Sequence, residues 1–404
     1  MPSQYFRSRR FLDIKLTLVI VALCGSSLLS YAQTETVLYS YPPGGIGNPS
    51  FPIGSSFDSA GNLYVTTQEG GANNAGSISQ LSPSGGGWNE TTIYSFTGAD
   101  DGALPWTAVV ADSEGNLYGG SSNGTTTWGA VYELSPTTVG SWTLTVLHDF
   151  AGGVDGAQPV GAMVLDPSGK LFGTAYYGGT TTNGVVFELT RSGSVWTYSV
   201  IHNFSGGAGG GAPYGALAID SRGNLYGTTN VGGSSGLGTV FRLSPVGGGG
   251  WRYVVLHSFS GADGASPWAG VTAGPNGTLY GTTTAGGTAG YGVVYRLTPI
   301  GGGAYHETVM HSFTNRADGA SPDAGVVLDA HGNLFGAAYK GGTGNGVIYE
   351  IPHGATGETI LWVFNGESGA SPFGTPVLDS AGNVYGTTFY GGRFSSGAAF
   401  EIVP

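Results

Sequence analysis

Four histidines recur at one spacing and could therefore suggest a metal site. His148, His202, His257 and His311 are 54 or 55 residues apart, and the same position holds Tyr39, Tyr94 and Trp362 elsewhere in the chain. A zinc site needs three or four ligands on one ion. One ring in each of several long repeats would lie far from the next, so we expect no metal site and interpret the histidines as packing residues.

Aspartates form two further series. Asp101, Asp155, Asp263 and Asp318 begin a DGAxP motif, with Gly210 and Ser368 in its place in two other copies. Calcium takes about six to eight clustered oxygens, so this set would make a sparse ring, whereas an aspartate readily accepts hydrogen bonds from its own turn. Both interpretations stay open. A second series precedes GN turns, and we interpret it as structural: Asp58, Asp112, Asp166, Asp220, Asp329 and Asp379.

Aromatic residues give the best functional lead. The position after the DGAxP proline holds Trp106, Val160, Tyr214, Trp268, Asp323 and Phe373, and we align Phe51 with it in the first copy. Rings among Thr, Ser and Asn suit stacking on sugars or on a partner protein, although they could equally fill gaps left by glycine. We predict a ligand-binding set made of Trp106, Tyr214, Trp268, Phe373, Trp128, Tyr177 and Tyr390.

Catalytic signatures are scarce. The sequence has no HExxH pair or P-loop, and its unique charged residues are scattered as Glu69, Asp323, Lys340, Glu367 and Arg393. A binding or interaction module without cofactor is therefore the first hypothesis. A hydrolase or lyase using Asp323 and Glu367, and a structural envelope protein, are the alternatives.

The elements that must position these residues come from one repeated stretch. Versions of GNLYGTT begin at Gly61, Gly115, Gly169, Gly223, Gly277, Gly332 and Gly382, with offsets of 54, 54, 54, 54, 55 and 50 residues. A constant period of this size indicates a repeat architecture.

One repeat predicts four short antiparallel strands, a to d. In the fourth copy they are residues 216–220, 224–229, 239–243 and 252–259, with tight turns after a and c and longer segments after b and d. We call the segment from strand d into the next copy the crossing. Crossings and b-to-c loops should share one face of the molecule.

Seven such units predict an all-β protein, a seven-bladed β-propeller over residues 33–404. The last copy stops after its third strand, and ETVLYSY at Glu35 to Tyr41 matches the fourth-strand segments that begin at Glu90 and Glu358. We therefore expect the N-terminal strand to complete the last blade and close the ring.

The N-terminus predicts export. Arg7, Arg9, Arg10 and Lys15 precede the apolar run 16–23, which is typical of a signal peptide over residues 1–32; an uncleaved anchor is the alternative. The formal net charge is −12, and Cys24 is the one cysteine. Without Lys/Arg clusters, nucleic acid and anionic membranes are poor partners. We expect a secreted or envelope monomer whose partner is a glycan or surface protein.

The recurring set HSFxxxDGAxP, LDSxGNLYGTT and GGGxxGxGxVFxLSP resembles the GloVer tandem repeat family of secreted bacterial proteins, over residues 35–404. The resemblance implies an exported repeat protein with no catalytic residues to carry over.

Overall fold

Seven antiparallel sheets account for nearly all the regular structure of this chain: six have four strands, and in the remaining one the innermost strand is divided into two short strands. The structure is a computed structural model that describes residues 33–124, 126–138 and 140–404. The signal peptide predicted for residues 1–32 lies outside the described residues. Regular structure besides strands amounts, in the part described, to two single 3₁₀ turns, Gly207–Gly209 and Pro275–Gly277.

Each sheet is one blade, and its strands run in order from the centre of the ring to the rim. Blade 1 is formed by β2 (Ser50–Phe57), β3 (Leu63–Glu69), β4 (Ser77–Ser84) and β5 (Gly87–Ser95). Blade 2 is formed by β6 (Ala103–Pro105) with β7 (Val110–Ala111), β8 (Leu117–Asn123), β9 (Ala130–Pro136) and β10 (Trp142–Asp149). Blade 3 is formed by β11 (Val164–Leu165), β12 (Leu171–Ala175), β13 (Val185–Ser192) and β14 (Val195–Asn203). Blades 4 and 5 are formed by β15 (Ala218–Ile219), β16 (Leu225–Thr229), β17 (Thr239–Val246) and β18 (Gly250–Ser258); and by β19 (Thr272–Ala273), β20 (Leu279–Thr283), β21 (Val293–Gly301) and β22 (Ala304–Ser312). Blades 6 and 7 are formed by β23 (Val327–Leu328), β24 (Leu334–Ala338), β25 (Val347–Ile351) and β26 (Thr359–Val363); and by β27 (Ala370–Leu378), β28 (Val384–Tyr390), β29 (Ala398–Val403) and β1 (Thr34–Ser40).

The ring closes through blade 7, as the sequence predicted. Strand β1 pairs antiparallel with β29, from Thr34 opposite Val403 to Ser40 opposite Ala398. Tyr41 follows β1, is fully buried, and donates its amide hydrogen to the Gly397 carbonyl at 3.0 Å. The first and last parts of the described chain are thereby held in one sheet.

Within a blade, a glycine of the second strand faces an aromatic ring of the third. Gly227 is directly opposite Phe241, and a Cβ added to Gly227 would lie 2.6 Å from that ring. The same pairing recurs as Gly119 with Tyr132, Gly173 with Phe187, Gly281 with Tyr295, Gly336 with Tyr349 and Gly386 with Phe400. Blade 1 has Val65 opposite Ser79 instead. The glycine of LYG therefore makes room for a large core ring, and valine fits where that ring is missing.

Hydrophobic cores lie between neighbouring blades. Phe172 and Phe204 of blade 3, for example, pack with Leu225, Phe241 and Leu243 of blade 4, all nearly or fully buried. Because each blade buries one face against the next, the ring as a whole forms the core.

A glycine–proline contact joins each blade to the next. Gly238 directly precedes the third strand of blade 4, and a Cβ on it would lie 2.6 Å from Cδ of Pro267 in the following crossing. The same contact recurs for Gly76 with Pro105, Gly129 with Pro159, Gly184 with Pro213, Gly292 with Pro322, Gly346 with Pro372 and Gly397 with Pro52. The last of these links blade 7 to blade 1, so all seven joints are alike.

The residue before each of these prolines is in the left-handed region. Its φ lies between 50° and 57°, and its amide donates to a carbonyl of the preceding blade's b-to-c loop at 2.6–2.9 Å. These residues are Phe51, Leu104, Gln158, Ala212, Ser266, Ser321 and Ser371. Such a backbone conformation is uncommon outside glycine, so the joint is made by backbone geometry and not by one side-chain type.

The innermost strands are shorter than predicted. In the fourth repeat only Ala218–Ile219 pairs with β16, whereas the sequence suggested residues 216–220. The residues before Ala218 do not pair with β16, because the innermost segments of neighbouring blades lie close together there. A side chain on Gly215 would collide with the backbone of Gly270 in the next blade. These unpaired residues face the centre of the ring.

Candidate ligand-binding site in the central channel

The central channel forms a cavity that is lined by all seven blades. Its volume is about 320 Å³. One residue per blade stands at the equivalent position of the lining: Ile53, Trp106, Val160, Tyr214, Trp268, Asp323 and Phe373. Our alignment of Phe51 with this position was wrong, because Phe51 is the left-handed residue before Pro52, and Ile53 follows that proline. Four of the predicted aromatic residues thus meet in one cavity.

Two of these rings form one side of the cavity. Tyr214 and Trp268 come from adjacent blades, with ring centroids 5.0 Å apart and planes inclined by 31°. Tyr176, at the end of strand β12, packs edge-on against Tyr214 at 5.6 Å and against Tyr177 at 4.3 Å. The predicted residue Tyr177 is 48% exposed, so this group extends from the channel onto the surface.

A second aromatic group surrounds Phe373. Phe389 lies 6.0 Å from Phe373 and stacks on Phe51 at 5.2 Å. Tyr390, which is 45% exposed, packs edge-on against both Phe389 and Phe51. Part of this group therefore fills space between blades 7 and 1, as the gap-filling interpretation anticipated, while Phe373 and Tyr390 remain accessible.

Trp128 stands apart from both groups. Its ring lies against Gly152 in the crossing from β10 to β11, and 43% of it is exposed. It does not line the channel cavity. The predicted set therefore divides into four channel residues, two neighbouring rim residues and one separate rim residue.

Asp323 occupies the position that carries a ring in four other blades. Burial raises its pKa to about 7, and the nearby Lys340 ammonium opposes this shift. Among the described residues that line the cavity, Asp323 is the only one with an ionisable acidic or basic side chain besides the phenol of Tyr214. Sequence analysis had placed Asp323 at this repeat position and named it in the enzyme alternative, but had not included it in the ligand-binding set.

We expect one aspartate carboxyl group to titrate far above the others. In protein labelled with ¹³C at aspartate only, one carboxyl carbon should titrate with a midpoint near pH 7, because burial disfavours the carboxylate. The Asp323→Asn variant should lack that signal. If every aspartate titrates near its usual value in the unmodified protein, Asp323 is better solvated than its position indicates.

The crossing aspartates bond their own turns. Asp318 accepts hydrogen bonds from the Thr314 amide at 2.6 Å and the Thr314 hydroxyl at 2.7 Å. Asp101, Asp155 and Asp263 accept the equivalent amide bond from Thr97, Ala151 and Ser260. These carboxylates are therefore occupied within their turns, which supports the turn interpretation over a calcium ring.

The aspartates before the GN turns are bound even more closely. Asp220 accepts hydrogen bonds from the Arg222 amide, from the Asn224 amide and side chain, and from the Tyr226 hydroxyl. Partial burial alone would raise the pKa of Asp220, but these bonds hold it below its usual value. Larger grooves of about 690 and 700 Å³ lie between blades beside these turns, where the lining aspartates are already engaged.

The outer-strand histidines do not converge, but one of them meets two carboxylates. His311 lies 3.4 Å from Asp318 through Nε2 and 2.5 Å from Glu358 of the next blade through Nδ1. These three are the one group of metal-ligating residues found in the described part of the chain. Each ring nitrogen faces a different carboxylate, which suits a polar contact between blades, since one metal ion could bind only one of the nitrogens.

The remaining charged candidates are dispersed. Glu69 ends strand β3, and the Arg393 guanidinium lies 5.2 Å from the ring of Phe394. Glu367 is exposed in the crossing before β27, where the Asn365 side chain bonds its amide. Glu367 does not line the channel with Asp323, so the structure does not bring together the pair on which the enzyme alternative depended.

The seven closed blades and their shared channel define a seven-bladed β-propeller. The chain belongs to the family of the Gloeobacter/Verrucomicrobia repeat, whose sequence model matches residues 27–230 and 213–404. No curated protein matches this chain. No helix in the described part of the chain is long and apolar enough to cross a membrane.

Solved structures with the same fold carry different descriptions. The extracellular domain of a protein described as a one-component system from B. thetaiotaomicron has a TM-score of 0.57 and 11% identity, covering 90% of this chain and 40% of that one. A fungal alcohol oxidase of the AA5 family, in complex with copper, has a TM-score of 0.54 and 14% identity, covering 90% and 76%. A protein from Bacteroides uniformis described as a 6-phosphogluconolactonase has a TM-score of 0.51 and 14% identity, covering 79% and 86%. Such diversity at this identity establishes the fold and leaves function to the site.

Proposed function

We propose that the protein is an exported binding module that takes polysaccharide at the mouth of its central channel. The observation that carries this proposal is the meeting of Trp106, Tyr214, Trp268 and Phe373, from four different blades, in one open cavity. Flat aromatic faces stack on the apolar faces of sugar rings, and a concave site removes water from that contact.

The rim residues extend the proposed site. Tyr177 and Tyr390 adjoin the channel groups, and Trp128 lies further out on the same face; all three are more than two fifths exposed. A sugar chain leaving the channel would contact Tyr177 on the side of blade 3 or Tyr390 on the side of blade 7. Trp128 thus distinguishes a site confined to the channel from one that runs across the face.

Export is part of the same proposal. The basic, apolar and small-residue order of residues 1–32 supports it, and so does the extracellular origin of the B. thetaiotaomicron domain with this fold. A hydrolase or lyase is not proposed, because the described channel lining offers Asp323 without a second carboxylate.

Losing one channel ring should weaken binding strongly. For a polysaccharide that binds in a screen, Trp106→Ala and Trp268→Ala should each cost about 1–3 kcal/mol of binding free energy, because stacked aromatic anchors lose both contact area and desolvation. Isothermal titration calorimetry measures this directly. Ile300→Ala is a suitable control, since Ile300 is 65% exposed on the opposite face.

The same titrations separate the competing hypotheses. Normal affinity in both tryptophan variants would remove the channel from the site. Shortened or unsaturated sugar products would move the enzyme hypothesis to first place. Absence of any polysaccharide ligand would favour a protein partner or a structural role.

A further inference from the structure

The channel cavity combines aromatic rings with a single carboxylate. Asp323 is partly buried, and within the described residues its carboxyl group is affected by burial and by the Lys340 charge, with no hydrogen bond to it. The positive charge that acts on Asp323 is that of Lys340, an exposed residue after β24. The Lys340 ammonium group does not come within 4.0 Å of the Asp323 carboxylate. The carboxylate therefore has room for a partner that the protein itself does not supply.

The aromatic rings, like the carboxylate, favour a positively charged ligand in this cavity. An aromatic face carries negative charge density and attracts cations. Trp106, Tyr214, Trp268 and Phe373 line the same cavity as Asp323, and the formal net charge of the chain is −12. A carboxylate surrounded by rings is suited to an ammonium group, and it disfavours phosphate, sulfate or uronate groups.

The size of the cavity limits what enters. About 320 Å³ is at the small end of ligand pockets, so one sugar residue fits more readily than a chain segment. The larger aromatic surface lies outside, at Tyr177 and Tyr390. This arrangement favours a terminal residue in the channel and the rest of the chain on the rim.

We propose that the channel recognises a sugar that carries a free amine, with the ammonium group bonded to the Asp323 carboxylate and the sugar ring held among the channel aromatics. This inference rests on the proposed polysaccharide-binding function and names its ligand class. The amine binds beside the carboxylate in its protonated form, so the bond is charge-assisted and stronger than a neutral one.

The decisive experiment compares three β-1,4-linked tetrasaccharides that differ at one position of each sugar. The probes are the glucosamine tetramer, the N-acetylglucosamine tetramer and cellotetraose, titrated calorimetrically into the protein. We expect the glucosamine tetramer to bind about 10- to 100-fold more tightly than the other two, as a charge-assisted hydrogen bond provides.

Two substitutions at Asp323 test the cause of that preference. Asp323→Asn and Asp323→Val should abolish it and leave the melting temperature close to that of the parent, since Val160 occupies the same position in blade 3. Asp100→Asn is the matched control: it removes the same charge from an exposed crossing residue outside the cavity. It should keep the preference.

The pH dependence provides a separate readout. Tetramethylammonium is the probe here, because a sugar amine loses its own proton near neutral pH whereas a quaternary ammonium keeps its charge. Only the carboxylate form of Asp323 attracts a cation, so affinity for tetramethylammonium should rise from pH 6 to pH 8 if the pKa of Asp323 is about 7. The other groups facing Asp323 are Lys340, Tyr214 and Tyr339; burial raises the pKa of both phenols, which keeps them neutral in this range. Asp323→Asn should flatten the profile.

The outcomes distinguish this inference from the function on which it rests. Equal binding of all three sugars, or a preference unaffected by Asp323→Asn, overturns the amine inference; if Trp268→Ala still weakens such binding, the polysaccharide function stands. Tetramethylammonium that binds only when Asp323 is present, without any sugar binding, supports the cation site and contradicts the polysaccharide function. No binding of any probe contradicts both.

Discussion

Replacing Gly238 by alanine is expected to lower the free energy of unfolding by about 2–5 kcal/mol. Gly238 has a φ of 101°, which an L-residue adopts only at a cost of about 1–2 kcal/mol. Its new Cβ would also lie 2.6 Å from Cδ of Pro267 and 2.5 Å from the Thr229 carbonyl oxygen. Overpacking of this kind typically adds about 1–3 kcal/mol, and neither the proline ring nor the carbonyl group can rotate away.

Two other glycines separate these causes. Gly236 has a φ of 75° but open space around it, so Gly236→Ala should carry the conformational cost alone. Gly247 has neither a positive φ nor a neighbour within 4 Å, and Gly247→Ala should change stability little. Chemical denaturation measures all three. If Gly238→Ala costs no more than Gly236→Ala, the glycine–proline contact does not hold neighbouring blades together.

Replacing Tyr41 by alanine should be comparably severe, at about 3–5 kcal/mol, the usual cost of emptying a large aromatic core position. Tyr41 is fully buried and follows the strand that closes the ring. Six phenylalanines occupy its position in the other blades, each fully buried: Phe96, Phe150, Phe204, Phe259, Phe313 and Phe364. The closing joint therefore has the same core residue as the internal joints.

The internal joints provide the control for this measurement. Phe259→Ala should destabilise the protein about as much as Tyr41→Ala, and Tyr41→Phe should be well tolerated because phenylalanine is already found there six times. Thermal and chemical unfolding of the three variants test the closure. A small loss in Tyr41→Ala beside a large loss in Phe259→Ala would show that blade 7 does not depend on the N-terminal strand.

The sequence predicted the architecture because the period is nearly constant and the turn chemistry is repeated. Seven copies of GNLYGTT specify seven sheets, and the match between ETVLYSY and later fourth strands specifies the closing partner of β29. The aspartate of each GN turn was also identifiable, because its carboxylate bonds residues two and four positions later.

What the sequence did not reveal depends on contacts between blades. In the amino-acid sequence, the glycine–proline contact appears only as two common residue types about 29 positions apart, such as Gly238 and Pro267. Phe51 was misaligned because the first crossing lacks the DGA triplet that marks four of the others. Glu358 was overlooked beside His311 because the two lie in different repeats, although Glu307 at the equivalent position offered a periodic signal.

The sequence predicted that the candidate site is aromatic, but it did not predict which residues line the cavity together. Four of the seven proposed aromatic residues line one cavity, while Trp128 packs on Gly152. The sequence did not show that Asp323 belongs with the aromatic set, because its raised pKa results from burial in the folded ring.

The left-handed residue before each proline has a consequence for how this protein can acquire new ligands. Its hydrogen bonds come from the backbone, and phenylalanine, leucine, glutamine, alanine and serine all occupy it. The channel position after the proline is therefore not needed to hold the ring together, and its residue differs between blades, from isoleucine to aspartate. Substitutions at this position can change ligand specificity one blade at a time, without altering the contacts that join the blades.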